Sequence, residues 1–181
     1  IESVWAQTMQ DFELIVVDNG STDESLEIAR SYQGRPGYIL IENKTNTGFS
    51  CAVNQGIRMA KGEYVALFNN DAFAEPDWLE NLIAAAEQDP KIFGVSSLMI
   101  RHFERELADD AGDYVTLLGF ACKRGDGLRW QRYQKPGRVF SACGGAALYR
   151  KSILDEIGLF DENFFAYFED VDISWRANSL G

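Results

Sequence analysis

The sequence predicts an α/β fold, a mostly parallel sheet with helices on both faces. Three observations carry that reading. Short β-branched runs alternate with helix-like stretches over the first half of the chain, and each run stops at a polar or glycine-bearing turn. The 181 residues, 46% hydrophobic and 25% charged, suit one soluble domain with a sizeable core. Right-handed crossovers set successive strands side by side, and such sheets take ligands at the carboxyl ends of their strands.

Residues 1–10 read as a first helix. Phe12 to Val17 (FELIVV) is a strand ending in the turn Asp18-Asn19-Gly20. Ser21 and Glu24 form a capping-box pattern that opens a helix stopping near Gly34 and Pro36. A second strand, Tyr38 to Glu42 (YILIE), leads through the polar loop Asn43–Thr47 and Gly48 to a helix ending at Ala60. There Phe49, Ala52, Val53, Ile57 and Ala60 share an apolar face, and Gly62 is the stop. The third strand, Tyr64 to Phe68 (YVALF), ends at Asn69-Asn70-Asp71, and Pro76 opens a helix to about Gln88. Ile92 to Ile100 is a further strand candidate. Arg101 to Arg138 is poorly periodic and reads as an excursion over the site. The pattern resumes at Val139 to Tyr149, where Gly144-Gly145 permits close backbone approach, then a helix near Lys151 to Ile157. An aromatic stretch, Phe160 to Phe168, precedes a last helix beginning near Glu169.

Charge excludes some functions. Acidic residues outnumber basic ones 28 to 17, a net charge of −11, so a phosphate backbone would repel the chain and nucleic-acid binding is not expected. Cys51, Cys122 and Cys143 are far apart and unpaired in pattern, which suits reduced thiols in a cytosolic setting. With one histidine, His102, a His/Cys zinc site is excluded. No apolar run approaches a membrane span, and no signal peptide is visible.

Three polar clusters stand at strand ends or helix starts: Asp18-Asn19, Asn69-Asn70-Asp71 and Glu169-Asp170-Val171-Asp172. Each alone also fits a plain structural role, as a turn, a strand exit or a helix's acidic first turn. Such roles do not require all three at one rim of a sheet. Oxygen-only ligands suit a hard cation, Mg²⁺ or Mn²⁺, which commonly takes one or two carboxylates and completes its shell with phosphate oxygens. Asp71 alone is then enough.

The segments SVWAQTMQDFELIVVDNGSTDES, NTGFSCAVNQGIRMAKGEYVALFNNDA and GGAALYRKSILDEIGLFDENFFAYFEDVDISWRA resemble family 2 glycosyltransferases of the GT-A fold, in the rhamnosyltransferase-like branch. The resemblance implies a Rossmann-like nucleotide-diphospho-sugar transferase domain spanning 1–181 and truncated at both ends. Asp18 would contact the nucleobase, and Asn46, Gly48 and Asn54 would lie over the nucleotide. Asn69-Asn70-Asp71 stands where the family has DxD. Asp71 would hold the metal at the diphosphate, and Asn69, an Asn in place of Asp, would meet the ribose. Asn70, Gly144 and Gly145 would line the donor site. Glu169 and Asp170 match the late acidic pair, with Asp170 the general base of an inverting, in-line displacement.

The implied partners are a nucleotide-sugar donor (dTDP-rhamnose or a UDP-sugar) and a glycan or lipid-linked acceptor, with peripheral association at the inner face of a bacterial membrane. Complete family members begin with an apolar strand in mid-sheet, which nothing in residues 1–10 resembles. The chain, stopping in mid-pattern at Gly181, is therefore expected to be a fragment that folds poorly alone. A sugar nucleotidyltransferase and a catalytically silent glycan-binding module are the rival readings. Trp130 and Tyr133 suit lid or core packing as well as sugar stacking, Arg124, Arg129 and Arg132 a solvated face as well as phosphate, and Trp175 the core. Arg176 is placed to pair with a nearby acid.

Overall fold

The computed structural model describes residues 1–180. Its elements in chain order are α1 (Glu2–Trp5), β1 (Leu14–Asp18), α2 (Ser25–Arg30), β2 (Tyr38–Glu42), α3 (Phe49–Met59), β3 (Tyr64–Phe68), α4 (Trp78–Ala86), β4 (Gly94–Ser96), β5 (Met99–Ile100), β6 (Ala108–Asp110), β7 (Asp113–Val115) and β8 (Ala121–Lys123). A 3₁₀ turn (Trp130–Tyr133), β9 (Ala146–Arg150), α5 (Lys151–Ile157) and α6 (Glu169–Leu180) complete them.

The α/β alternation is as the periodicity predicts, but the strand pairing is not all side by side. β1 and β2 run parallel, with Leu14 opposite Tyr38 and Asp18 opposite Glu42. A second group has the order β3-β9-β4, with β9 antiparallel to both neighbours. Periodicity reports which face of a strand is apolar and carries no sign for its direction.

β1 and β3 each pair along one edge only. A groove of about 1590 Å³ is lined by all of β1, all of β3 and the apolar faces of α3 and α4, including Ala52, Val53, Ile57, Trp78 and Leu79. Ala66 in mid-β3 is exposed, and Leu14 to Val17 are only half-buried, although central strands of such sheets are normally covered on both faces. The main core cluster abuts the groove and shares Ile57, Val65 and Leu67 with it. In that cluster Ile57, Val65, Leu67, Ala147, Tyr149, Leu154, Phe160 and Ile173 pack together. Tyr149 is wholly buried between Phe93 and Phe160, with its hydroxyl donating to Ala142 O at 2.9 Å.

Several local expectations are corrected. The first helix is one turn long. No capping box forms at Ser21: the backbone N–H groups of Gly20 and Ser21 instead donate to Asp18 Oδ2, and α2 starts at Ser25. The 101–138 excursion is ordered, holding the hairpin β7–β8, with β6 paired to β5 just before it. Trp175 lies 54% exposed against Phe140 rather than in the core. Arg176 does pair with Asp172, at 2.9 Å, and ties it to the carbonyls of Ile157, Gly158 and Leu159. All three cysteines are free thiols. No helix among the described residues is long and apolar enough to cross a membrane.

Candidate functional site

Backbone links two of the three polar clusters, and the Asp18-Asn19 turn shares a groove with Asn69 and Asn70, whereas Asp71, Glu169 and Asp170 do not line it. Asp18, Asn19, Asn69, Asn70, Phe49 and Gly144 all line the polar end of the groove. Asn69 N donates to Gly145 O at 2.9 Å, and Gly144 N donates to Asp170 Oδ2 at 3.0 Å. Two consecutive glycines thus join the end of β3 to the start of α6. A Cβ on Gly144 would sit 3.4 Å from the Phe49 ring and 3.8 Å from Asp170 Cβ, and one on Gly145 3.4 Å from Asn69 Nδ2. The close approach is what a small residue at both positions permits.

Asp18 ends β1 and is 6% exposed, its carboxylate caught by the two turn amides. Asn19, which the sequence marks only as part of the turn after Asp18, is the hub of the loop. Its Nδ2 donates to Asn46 Oδ1 (3.0 Å) and Gly48 O (3.1 Å), and its Oδ1 accepts from Asn43, Thr47 N and Thr47 Oγ1. Asn46 is exposed beside it and accepts from Gly48 N. Gly48 caps α3 at φ +87°, where an added Cβ would lie 2.8 Å from Phe165 O.

Asn54 is elsewhere. It is 1% exposed, donates to Phe160 O and Glu162 Oε1, and accepts from Phe160 N. Its amide is committed to clamping the 160–162 loop, and it does not line the groove.

Asp71 follows Asn70 and is exposed. No group of three or more His, Cys, Asp or Glu side chains among the described residues converges to hold a metal. A lone exposed carboxylate still fits Mg²⁺ or Mn²⁺, since both accept substrate phosphate and water as the remaining ligands.

The start of α6 sets the last pair. Asp170 accepts from Gly144 N through Oδ2 and from Val171 N through Oδ1, so its carboxylate plane is fixed at both ends while further lone pairs remain. Glu169 is 6% exposed, and its Oε2 has no partner. Burial holds its carboxyl above the usual range, with the Asp170 charge adding to it. The two residues before it, Tyr167 and Phe168, both adopt positive φ (71° and 67°), strained for bulky side chains.

The excursion adds two acids that sequence reasoning passed over. Asp113 donates its backbone N–H to Ser141 O and accepts from Ser141 Oγ at 3.1 Å. Burial raises its pKa, and the Asp170 charge raises it further. Asp110 is wholly buried, accepts from Gly112 N through Oδ1 and leaves Oδ2 without a partner. Burial, with the neighbouring Asp113 charge, pushes it up to about 7. Burial together with the Asp110, Asp170 and Asp113 carboxylates pushes the Cys143 thiol up to about 12, which leaves it inert. The run Asp109-Asp110-Ala111-Gly112-Asp113 was the available signal, three acids around a glycine turn in a weakly periodic stretch.

Comparison with known proteins gives the family and the fold. The family model for Glycosyl transferase family 2 matches residues 1–158. The glucosyl-dolichyl phosphate glucuronosyltransferase of Haloferax volcanii is 26% identical over 163 residues, covering 90% of this chain and 50% of that protein. The poly-beta-1,6-N-acetyl-D-glucosamine synthase of Staphylococcus aureus is 26% identical over 183 residues, covering 100% and 42%. The chain therefore spans about half the length of these relatives or less. The mannosyltransferase PcManGT of Pyrobaculum calidifontis, solved with GDP-Man and Mn²⁺, superposes with a TM-score of 0.70 at 21% identity over 99% of this chain and 47% of that one.

Proposed function

The chain belongs to glycosyl transferase family 2 and has the α/β GT-A fold, and we propose that the protein it belongs to transfers a sugar from a nucleoside-diphosphate donor to an acceptor hydroxyl with inversion. The observation that supports this is the Gly144-Gly145 bridge, which bonds Asn69 N through Gly145 O and the Asp170 carboxylate through Gly144 N, with Asp18, Asn69, Asn70 and Gly144 lining one groove.

On this reading Asp18 faces the nucleobase, and Asn69 and Asn70 meet the ribose and diphosphate. Asn46 and Gly48, braced by Asn19, shape the loop over the nucleotide. Asp71 is the residue that would hold Mg²⁺ or Mn²⁺, which when bound supplies positive charge to the departing diphosphate. Asp170, oriented by Gly144 N and Val171 N, takes the proton of the acceptor hydroxyl as that oxygen attacks the anomeric carbon. A positioned base of this kind contributes ~10²–10⁴-fold. Glu169, buried next to it in the chain, is the second acid of the pair, and Gly144 and Gly145 let the chain pass close to the donor.

The donor class is dTDP-rhamnose or a UDP-sugar. The acceptor is a glycan or lipid-linked saccharide met at the inner face of the membrane, with the domain on the cytoplasmic side. The groove between β1 and β3 supports the further reading that a strand lying outside these 181 residues completes the sheet there, each unpaired edge offering it a ladder of N–H and C=O groups.

A screen of nucleotide sugars with the full-length protein, with and without Mg²⁺ or Mn²⁺, tests the proposal. Free nucleoside diphosphate released in step with glycosylated product is the expected result. Release of pyrophosphate from a nucleoside triphosphate and a sugar phosphate would establish a nucleotidyltransferase instead.

A further inference from the structure

The hairpin β7–β8 ends in Thr116-Leu117-Leu118-Gly119-Phe120. The turn is fully formed: Thr116 N donates to Phe120 O (2.9 Å), Gly119 N to Thr116 O (2.9 Å) and Phe120 N to Thr116 Oγ1 (3.1 Å), with Gly119 at φ +84°. A hydrogen-bonded turn holds its side chains in fixed directions, yet Leu117 is fully exposed, Leu118 84% and Phe120 66%. Three large apolar groups together at a folded tip, covering nothing in the domain, are the mark of a surface that meets an apolar medium.

The charge around the hairpin's root narrows the choice of medium. Residues 123–138 hold six bases, Lys123, Arg124, Arg129, Arg132, Lys135 and Arg138, against the single acid Asp126, a net of +5; Lys123 pairs with Asp109 (3.3 Å) and Arg129 with Glu106 (3.5 Å), while Arg132, Lys135 and Arg138 are exposed. With −11 for the whole chain, the remainder carries −11 − 5 = −16. Arg124 stacks on Tyr133 at 4.8 Å, and a Cβ on Gly137 would lie 3.8 Å from Arg124 Nη2. The basic stretch is thus folded back against the hairpin's root, four residues or about 13 Å along the strand from Phe120. An apolar tip standing beyond a basic collar fits the boundary between acyl chains and anionic headgroups.

The root of the hairpin leads to the reaction centre. Asp113 is bonded to Ser141 and Phe140 through its backbone, and to Ser141 Oγ through its carboxylate. Three residues beyond Ser141, Gly144 N holds Asp170.

On the reading that the acceptor is held at a membrane, we propose that Leu117, Leu118 and Phe120 insert into an anionic bilayer while Arg132, Lys135 and Arg138 lie on its headgroups. This sets the reacting end of a lipid-linked acceptor at Asp170. Binding then has two separable parts, an apolar one at the tip and a salt-sensitive one at the collar.

The full-length protein and its L117S/L118S/F120S variant, sedimented with vesicles of phosphatidylcholine alone or mixed with phosphatidylglycerol, test this. The wild type is expected to bind the mixed vesicles more tightly and to weaken as salt rises. The triple variant should lose at least about tenfold in bound fraction, with its circular dichroism and its thermal shift by UDP unchanged. Equal binding by variant and wild type would overturn the role of the tip while leaving membrane association standing. Failure of the wild type to bind either vesicle, with the UDP shift intact, would overturn the membrane reading itself and this assignment with it.

Discussion

Replacing Asp110 by Asn in the full-length protein should stabilise it, by an amount that grows with pH. Asp110 is wholly buried, and its Oδ2 has no partner. Burial raises it from 3.8 to about 7. The sign follows from where the proton sits. Between these values the folded protein keeps the proton and the unfolded chain has lost it, so stability falls as pH rises and levels off above about 7. Roughly three pH units at 1.36 kcal/mol each set the full cost on the order of 4 kcal/mol above neutrality, and about 1–2 kcal/mol at pH 5. Asn keeps an oxygen for Gly112 N and carries no charge to desolvate. Urea unfolding of both proteins across the range pH 5 to 8 reads the difference. The gain from the substitution should widen by about 2–3 kcal/mol over that range and then stop. A gain independent of pH, or a loss that grows with pH, would refute the reasoning, since it would mean that Asp110 is already ionised and paired in the native protein.

Three further outcomes are expected. Gly48→Ala puts a Cβ 2.8 Å from Phe165 O at a positive φ, which should cost about 1–3 kcal/mol in a thermal melt and loosen the loop before Glu169, lowering turnover as well. An undiminished melt would show that the loop yields freely. Asn54→Ala leaves the Phe160 N–H and C=O without their side-chain partner and should cost about 1–3 kcal/mol of stability with little change in nucleotide affinity, measured by calorimetric titration; a selective loss of affinity would return Asn54 to the nucleotide. The isolated 181 residues, with the groove between β1 and β3 open to water, should melt broadly and turn over poorly, whereas a sharp melt and normal activity would show that the groove needs no further strand.

The parts legible in the sequence were those whose signal is local. β1, β2 and β3 announced themselves as short apolar runs ending in polar turns, and α3 by its apolar face behind Gly48. The acids at strand ends could be placed from the same rule. What stayed hidden depended on partners far away in the chain. The capping box at Ser21 looked sound until the Asp18 carboxylate took up the turn amides. The antiparallel run of β9 between β3 and β4 has no periodic signature. Asn54 sits in a segment that resembles a nucleotide-binding one, and only the position of Phe160, 106 residues on, reveals its role. Asp110 and Asp113 lie in three-residue strands of a glycine-rich stretch, too short for any pattern to show that both are buried and that Asp113 meets Ser141.

The account rests on Asp170, held by Gly144 N, acting on the acceptor next to the groove that Asp18, Asn69, Asn70 and Gly144 line. The most direct measurement is the rate of acceptor-dependent nucleoside diphosphate release by the full-length protein carrying Asp170→Asn, with donor binding followed in parallel. The substitution keeps the hydrogen-bonding shape and removes the base, so donor affinity should hold while transfer falls by ~10²–10⁴-fold. Transfer at the wild-type rate would contradict the account.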